Sequence, residues 1–211
     1  NQVKALKDES KPAEAEVADP VVHNEATLRH SLPAARAEAQ AAFKNSAIYL
    51  EKVLVNARHV EVQIMGDRAG NIVHFYERDC SLQRRHQKLV EESPSPGLND
   101  KIREELCRAA VRLAQAAKYH NAGTVEFLVT PKGKFYFLEM NTRIQVEHPV
   151  TEMITSRDLV QTQIRVAAGE PLNLRQKDVQ ARGVAIECRV NAEDPTNGFR
   201  PCPGRIDHFI A

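Results

Sequence analysis

Apolar and polar residues alternate with period two along HVEVQIM, residues 59–65. That sets Val60, Val62 and Ile64 on one face of an extended chain and His59, Glu61 and Gln63 on the other. The turn letters GDRAGN lead into NIVHFYE, so the spacing predicts a hairpin. A second hairpin is predicted over TVEFLV–TPKG–KFYFLEMN. Helical spacing appears elsewhere. SLPAARAEAQAAFK offers Ser31 as an N-cap and an early Pro33, and predicts a helix through about Phe43. Ile102, Leu106, Ala109, Ala110, Leu113, Ala116 and Ala117 form one apolar stripe of a helix over roughly 100–119, capped by Asn99 or Asp100. Ser156 is read as the cap of a further helix that closes on Gly169. GVAIECRVN and GRIDHFI read as strands. The order helix, hairpin, helix, hairpin, helix, strands predicts an α+β fold, with a largely antiparallel sheet flanked by helices.

One alternation carries more than fold information. Along EMNTRIQVEHPVTE, the odd positions Glu139, Asn141, Arg143, Gln145 and Glu147 are all polar, while Met140, Ile144 and Val146 are apolar. Read as a strand, this gives a face of two carboxylates, a guanidinium and two amides. A wet sheet face and a site for a polar ligand both fit it.

Composition narrows the classes. With 211 residues, 42% of them apolar, the chain can build one domain or a little more, and without Trp its core must be aliphatic. The formal net charge of +1 argues against a general nucleic-acid surface. No apolar run is long enough to span a membrane, and no signal-peptide pattern opens the chain. Cys80, Cys107, Cys188 and Cys202 are scattered and form no CxxC pair. That suits a reducing compartment, and a cytoplasmic protein is the expectation. Residues 1–20 are polar and lack Gly, and read as a tail or weak helix.

Candidate chemistry begins with the second hairpin. A loop centred on Lys132 and Gly133 pairs positions summing to 265, which sets Glu126 across from Glu139. Opposed like charges call for full solvation, a shifted register or a cation between them. The flanking residues Val125, Phe127, Leu138 and Met140 are apolar, so a hard divalent ion such as magnesium, bound with a nucleotide, is one reading. A harmless exposed pair is the other. QRRHQK, residues 83–88, packs four potential cations that could hold phosphate oxygens or form a solvated loop. ECRVNAEDP places Glu187, Arg189 and Asn191 on one face of its strand. His59, His74 and His148 show no metal-ligand spacing and are read as no metal ligands.

Together RHVEVQ, ERDCSLQRRHQK, VEFL, EMNTRIQVEHPVTE and ECRVNAEDP, in this order, resemble the biotin carboxylases of the ATP-grasp superfamily, over about residues 21–211. Pro149 and NAEDP look more like the acetyl- or acyl-CoA carboxylase type than the pyruvate carboxylase type. The resemblance implies an ATP-dependent ligase. Bicarbonate would attack magnesium- or manganese-bound ATP to give carboxyphosphate, and its CO2 would pass to biotin on a carrier protein. It further implies a carboxyltransferase subunit as partner, a possible homodimer, and neither nucleic acid nor membrane.

Roles follow on the matching residues. Glu51, Lys52 and Leu54 match the segment bordering adenine. His59 and Gln83 match residues near the sugar, and His86 and Lys88 match groups facing the phosphates. Glu126, Glu139 and Asn141 match the metal site. Arg143, Gln145 and the backbone of Val146 match the bicarbonate set. Glu147 matches the base that deprotonates bicarbonate, and Arg189 the arginine that stabilises the biotin enolate. These types suit the chemistry, because phosphoryl transfer is mostly positioning and charge neutralisation, and a guanidinium fork fits a planar anion.

The family's glycine-rich lid has no counterpart, since the first glycine is Gly66. The expected organisation is therefore an unmatched segment 1–20, a lid remnant at 21–52 without its loop, and a catalytic core at 53–211 that stops short of the family's C-terminal region. Turnover by this piece alone is expected to be weak or absent. A noncatalytic assembly piece and another ATP-grasp ligase remain as alternatives.

Overall fold

A computed structural model describes residues 2–5, 21–208 and 210. The chain forms two compact units, residues 1–55 and 56–211. In the first unit, β1 (Gln2–Ala5) pairs antiparallel with β2 (Ile48–Glu51). Residues 2–5 are thus a strand rather than the expected tail or weak helix, and the rest of that expectation lies outside the described residues. Helix α1 (Glu25–Phe43) begins a turn and a half before Ser31. Asn24 is its true cap. Asn24 Oδ1 accepts from the Thr27 amide at 2.9 Å, and Thr27 Oγ1 accepts from the Asn24 amide at 3.2 Å. This reciprocal cap satisfies two amides at once, and Pro33 is left inside the helix.

The second unit is built on a six-stranded, wholly antiparallel sheet. Its strands are β3 (Arg58–Gly66), β4 (Ile72–Arg84), β5 (Gln87–Ser93), β6 (Asn121–Val129), β7 (Phe135–Asn141) and β8 (Ala185–Cys188). Their order is β7-β6-β3-β4-β5-β8. Helix α2 (Asp100–Ala116) is capped by Asn99 and packs Leu106, Ala110 and Ala114 on Val60, Val62, Ile64 and Val125. On the far side, Leu159 and Val166 of α4 (Leu159–Ala167) join Met65, Phe75 and Ala122. A short ladder joins β9 (Glu193–Asp194) to β10 (Arg200–Pro201).

The polar face of β3 is buried, with Glu61 and Gln63 fully enclosed. Four expectations change here. The charged stretch 83–88 is a hairpin tip, with Arg85 and His86 both at positive φ (52° and 64°) between β4 and β5. The strand pattern beyond Glu139 stops at Asn141, and α3 (His148–Thr155) follows with Pro149 in its first turn, where a missing amide is harmless. Ser156 ends α3 in the left-handed region (φ 51°), and Asp158 caps α4 by accepting from the Gln161 amide at 2.6 Å. At the C-terminal side β8 is short, and residues 202–208 and 210 form no strand.

The predicted pairing of Glu126 with Glu139 is present, as are Thr124 with Asn141 and Val125 with Met140. Nearer the turn the register slips by one, so that Phe127 meets Phe137 and Val129 meets Phe135. A bulge between Glu126 and Phe127 absorbs the difference.

Candidate active site

One row of residues crosses four strands. Arg78 on β4 lies beside Glu61 on β3, Glu61 beside Glu126 on β6, and Glu126 beside Glu139 on β7. The segment 142–147, between β7 and α3, folds against this row. It brings Gln145 and Glu147 into burial, while Val146 stays largely exposed.

Lys88 is the hub of the carboxylates. Its Nζ donates to Glu61 Oε2 at 2.6 Å, Glu147 Oε1 at 2.7 Å and Glu126 Oε1 at 3.0 Å. Three donors thus meet three carboxylates. Burial opposes the lysine's charge, but Glu61, Glu126 and Glu147 hold its proton well above the ordinary lysine range. Glu126 is pulled the other way. Burial favours its neutral form, yet His59 and Lys88 keep it at about 2. His59 Nε2 lies 2.8 Å from Glu126 Oε2, and Gln83 Nε2 lies 2.9 Å from His59 Nδ1. The Gln83 amide faces Nδ1, and Nε2 approaches the Glu126 carboxylate closely but without hydrogen-bond alignment.

Glu147 is clamped on both oxygens. Lys88 takes Oε1, and Arg189 Nη2 reaches Oε2 at 3.0 Å. Arg189 follows β8 directly, with its amide bonded to the Leu89 carbonyl at 2.9 Å. Its Nε also donates to Glu91 Oε1 at 2.7 Å. Burial works against the Arg189 charge, but Glu91 and Glu147 raise its pKa. Glu91, fully buried, is itself pushed up by burial despite Arg189.

The remaining predicted residues divide. Asn141 Nδ2 donates to Glu126 Oε1 at 2.9 Å and reaches Glu139 Oε1 only at 3.5 Å. Glu139 is exposed and Arg143 is exposed, the latter bonding only the Ile144 carbonyl among the described residues. His86 is exposed at the β4–β5 tip and is not drawn into the cluster. Glu51 closes β2, and Lys52 and Leu54 follow it in the first unit.

Three buried members were not singled out from the sequence: Glu61, Arg78 and Glu91. Arg78 and Glu91 sit in a charged stretch, on either side of residues 83–88. The available signal was that β3, β4 and β6 each carry polar residues at paired positions, which makes a polar layer inside the sheet. His59, expected to be no ligand, sits with Glu61 and Glu126 in a group whose ligand atoms all lie within 4.8 Å of one another.

Glu126, Glu139 and the Oδ1 of Asn141 form an all-oxygen donor set, which fits a hard divalent cation. Glu139 has acceptor capacity to spare, whereas Glu126 is already engaged by Lys88, His59, Asn141 and Gln145.

Residues 18–175 match the family described as the carbamoyl-phosphate synthase L chain, ATP binding domain. The biotin carboxylase of Allochromatium vinosum is 55% identical over 191 residues, which is 90% of this chain and 42% of that protein. The chloroplastic biotin carboxylase of Arabidopsis thaliana is 58% identical over 85% of this chain and 33% of its own length. Among solved structures, the biotin carboxylase domain of the Hydrogenobacter thermophilus 2-oxoglutarate carboxylase, in complex with MgADP, ADP and bicarbonate, superposes with a TM-score of 0.84. It is 47% identical, over 95% of this chain and 43% of that one. The biotin carboxylase of Campylobacter jejuni gives a TM-score of 0.85 at 47% identity, over 91% and 43% of the two chains. The chain spans less than half the length of these relatives. It belongs to the carbamoyl-phosphate synthase L chain ATP-binding domain family, with the ATP-grasp fold, and the relatives named above are biotin carboxylases or a biotin carboxylase domain.

Proposed function

We propose that the second unit carries the phosphate, metal and bicarbonate side of a biotin carboxylase. ATP and bicarbonate would form carboxyphosphate, and its CO2 would pass to a ureido nitrogen of biotin held on a carrier protein. The observation that carries this reading is the clamp on Glu147, a buried carboxylate with Lys88 on one oxygen and Arg189 on the other. An anion entering there meets one base and two cations, which is what deprotonating bicarbonate requires.

The other residues divide the work. Lys88 stays charged and offers its ammonium to the transferred phosphoryl group. Gln145 presents its amide donors, and Arg143 and the Val146 backbone complete the bicarbonate set. Arg189 stabilises negative charge on the biotin ring oxygen. Within the second unit His59, Gln83 and His86 face the nucleotide, and in the first unit Glu51, Lys52 and Leu54 are the residues that match the adenine-bordering segment of the family. Glu126, Glu139 and Asn141 would hold magnesium or manganese, which when bound neutralises phosphate charge.

Further readings rest on the same resemblance. Residues 21–52 are a lid remnant and 53–211 a catalytic core. An acetyl- or acyl-CoA carboxylase, in the service of fatty acid synthesis, is the finer type. A biotin carrier, a carboxyltransferase and a second copy are its partners. Among the described residues no helix is long and apolar enough to cross a membrane, and we read the protein as cytoplasmic, although chloroplastic and mitochondrial relatives exist.

The test is ATP cleavage with magnesium, bicarbonate and free biotin. Cleavage that depends on bicarbonate, rises with biotin and is lost in Glu147→Gln supports the reading. Cleavage indifferent to bicarbonate overturns it, and bicarbonate dependence without a biotin response points to another ATP-grasp ligase. Titration calorimetry with magnesium-ATP addresses the noncatalytic alternative, which predicts no nucleotide binding.

A further inference from the structure

Arg78 is fully buried, on the central part of β4, and has no access to solvent or ligand. A guanidinium has five N–H donors in a fixed plane, and here each finds a different side chain. Nε donates to Glu61 Oε1 at 2.6 Å. Nη1 donates to Gln63 Oε1 at 2.8 Å and Thr151 Oγ1 at 2.9 Å. Nη2 donates to Gln145 Oε1 at 3.1 Å and Thr124 Oγ1 at 3.3 Å. These partners come from β3, β6, α3 and the segment between β7 and α3.

One of those bonds reaches a group that the proposed reaction uses, and another leads to one through Glu61. A Gln amide has one acceptor end and one donor end. With Oε1 turned to Arg78, Gln145 must turn Nε2 toward the site, where it donates to Glu126 Oε1 at 3.0 Å. A flipped amide would set NH2 against guanidinium and carbonyl against carboxylate, with both contacts repulsive. Glu61 is likewise fixed at both ends, with Oε1 on Arg78 and Oε2 on Lys88. We propose that Arg78 is a positioning residue for the anion site: it sets the donor-inward orientation of the Gln145 amide and, through Glu61, the place of the Lys88 ammonium. It never touches substrate. This inference rests on the reading of Gln145 and Lys88 given under the proposed function.

The test compares the full chain with Arg78→Lys, which keeps the charge but cannot make five planar bonds, and with Thr155→Val. Thr155 is buried on α3 and bonds the Thr151 carbonyl at 2.7 Å, without touching Arg78. The first readout is hydrogen exchange of the Gln145 side-chain amide by NMR. The Asn71 side-chain amide, bonded to Asp67 Oδ2 at 2.8 Å, is the internal control. Arg78→Lys is expected to lower Gln145 protection by about tenfold or more and leave Asn71 unchanged, because a displaced partner frees the amide to rotate. Thr155→Val is expected to lower the melting temperature and leave both amides unchanged. The second readout is the KM for bicarbonate in ATP cleavage, expected to rise about tenfold in Arg78→Lys while the KM for ATP stays within about twofold. If Arg78→Lys does not fold, Thr151→Val removes a single acceptor and should move both readouts the same way, by a smaller factor.

Unchanged Gln145 protection in the folded variants, or equal rises in both KM values, overturns the inference. Absence of any bicarbonate-dependent cleavage by the unsubstituted protein overturns the reaction instead, and the amide exchange then decides the role of Arg78 alone.

Discussion

Removing the Lys88 ammonium is the sharpest test of the charge cluster. Lys88→Met keeps the apolar stem and deletes one cation that three carboxylates share at 2.6–3.0 Å. Among Glu61, Glu91, Glu126 and Glu147 against Arg78, Lys88 and Arg189, four negative charges face three positive ones, and the substitution leaves four against two. The loss does not multiply by three, because each carboxylate keeps another partner. Glu61 keeps Arg78, Glu147 keeps Arg189, and Glu126 keeps His59 and two amides. Breaking one buried ion pair by removing a partner costs about 3–5 kcal/mol, and that is the expected deficit at pH 7. For a unit of this size it corresponds to a fall in Tm of roughly 6–20 °C.

The assay is urea unfolding followed by far-UV circular dichroism, since the chain has no Trp. The deficit should shrink on acidification. Lys88 helps hold Glu61 and Glu126 below their ordinary range. The stability these carboxylates contribute is present above their unfolded pKa, near 4.5, and is lost as pH falls toward about 2. In Lys88→Met protonation takes the place of the missing cation, so the two proteins converge as pH falls. A deficit below about 1 kcal/mol at pH 7, in the range typical of exposed pairs, or one that grows toward low pH, would refute the cluster as described.

Other outcomes follow from single contacts. Burial holds the His74 imidazole down at about 4, so stability present above 6.5 is lost as pH falls from 6.5 to 4, amounting to about 2 kcal/mol by pH 5. The difference in stability between the unsubstituted protein and His74→Phe should therefore narrow by about that amount between pH 7 and 5 in urea titrations. Asn99→Ala removes the bond from the Ile102 amide to Asn99 Oδ1 at 2.9 Å and should cost about 1 kcal/mol, with Asn99→Gly costing a few tenths. Glu139→Gln should weaken magnesium binding in calorimetry and leave stability within about 0.5 kcal/mol, because Glu139 is exposed. Glu126→Gln should weaken magnesium binding and also lower stability, since it removes the buried negative charge beside His59 and Lys88.

The hairpin logic of 124–141 was legible in the sequence because alternation and loop length both pointed to one register, and the carboxylate pair emerged from it. The pattern misled where polar residues are buried. Period two continues from Glu139 to Glu147, but it records only spacing and not what lies beside the chain. After Asn141 the backbone leaves the sheet, and Gln145 and Glu147 are captured by Arg78, Lys88 and Arg189. Those cations come from strands far away in sequence, so no local window contains the reason. The tip at Arg85 and His86 escaped notice for a different cause: neither residue carries the Gly or Asn signature of left-handed backbone.

The bulge between Glu126 and Phe127 has a meaning for how such a protein can change over generations. It divides one hairpin into two ladders, and the part that bears Glu126 is locked on its other side by an unbroken pairing with β3, from Arg58 opposite Val129 to Gly66 opposite Asn121. A residue gained or lost in the loop 130–134 can then be taken up by aromatic neighbours on the turn side, while Glu126 and Glu139 keep facing each other. The loop is free to drift, and the facing carboxylates are insulated from that drift by a single irregular hydrogen-bond step.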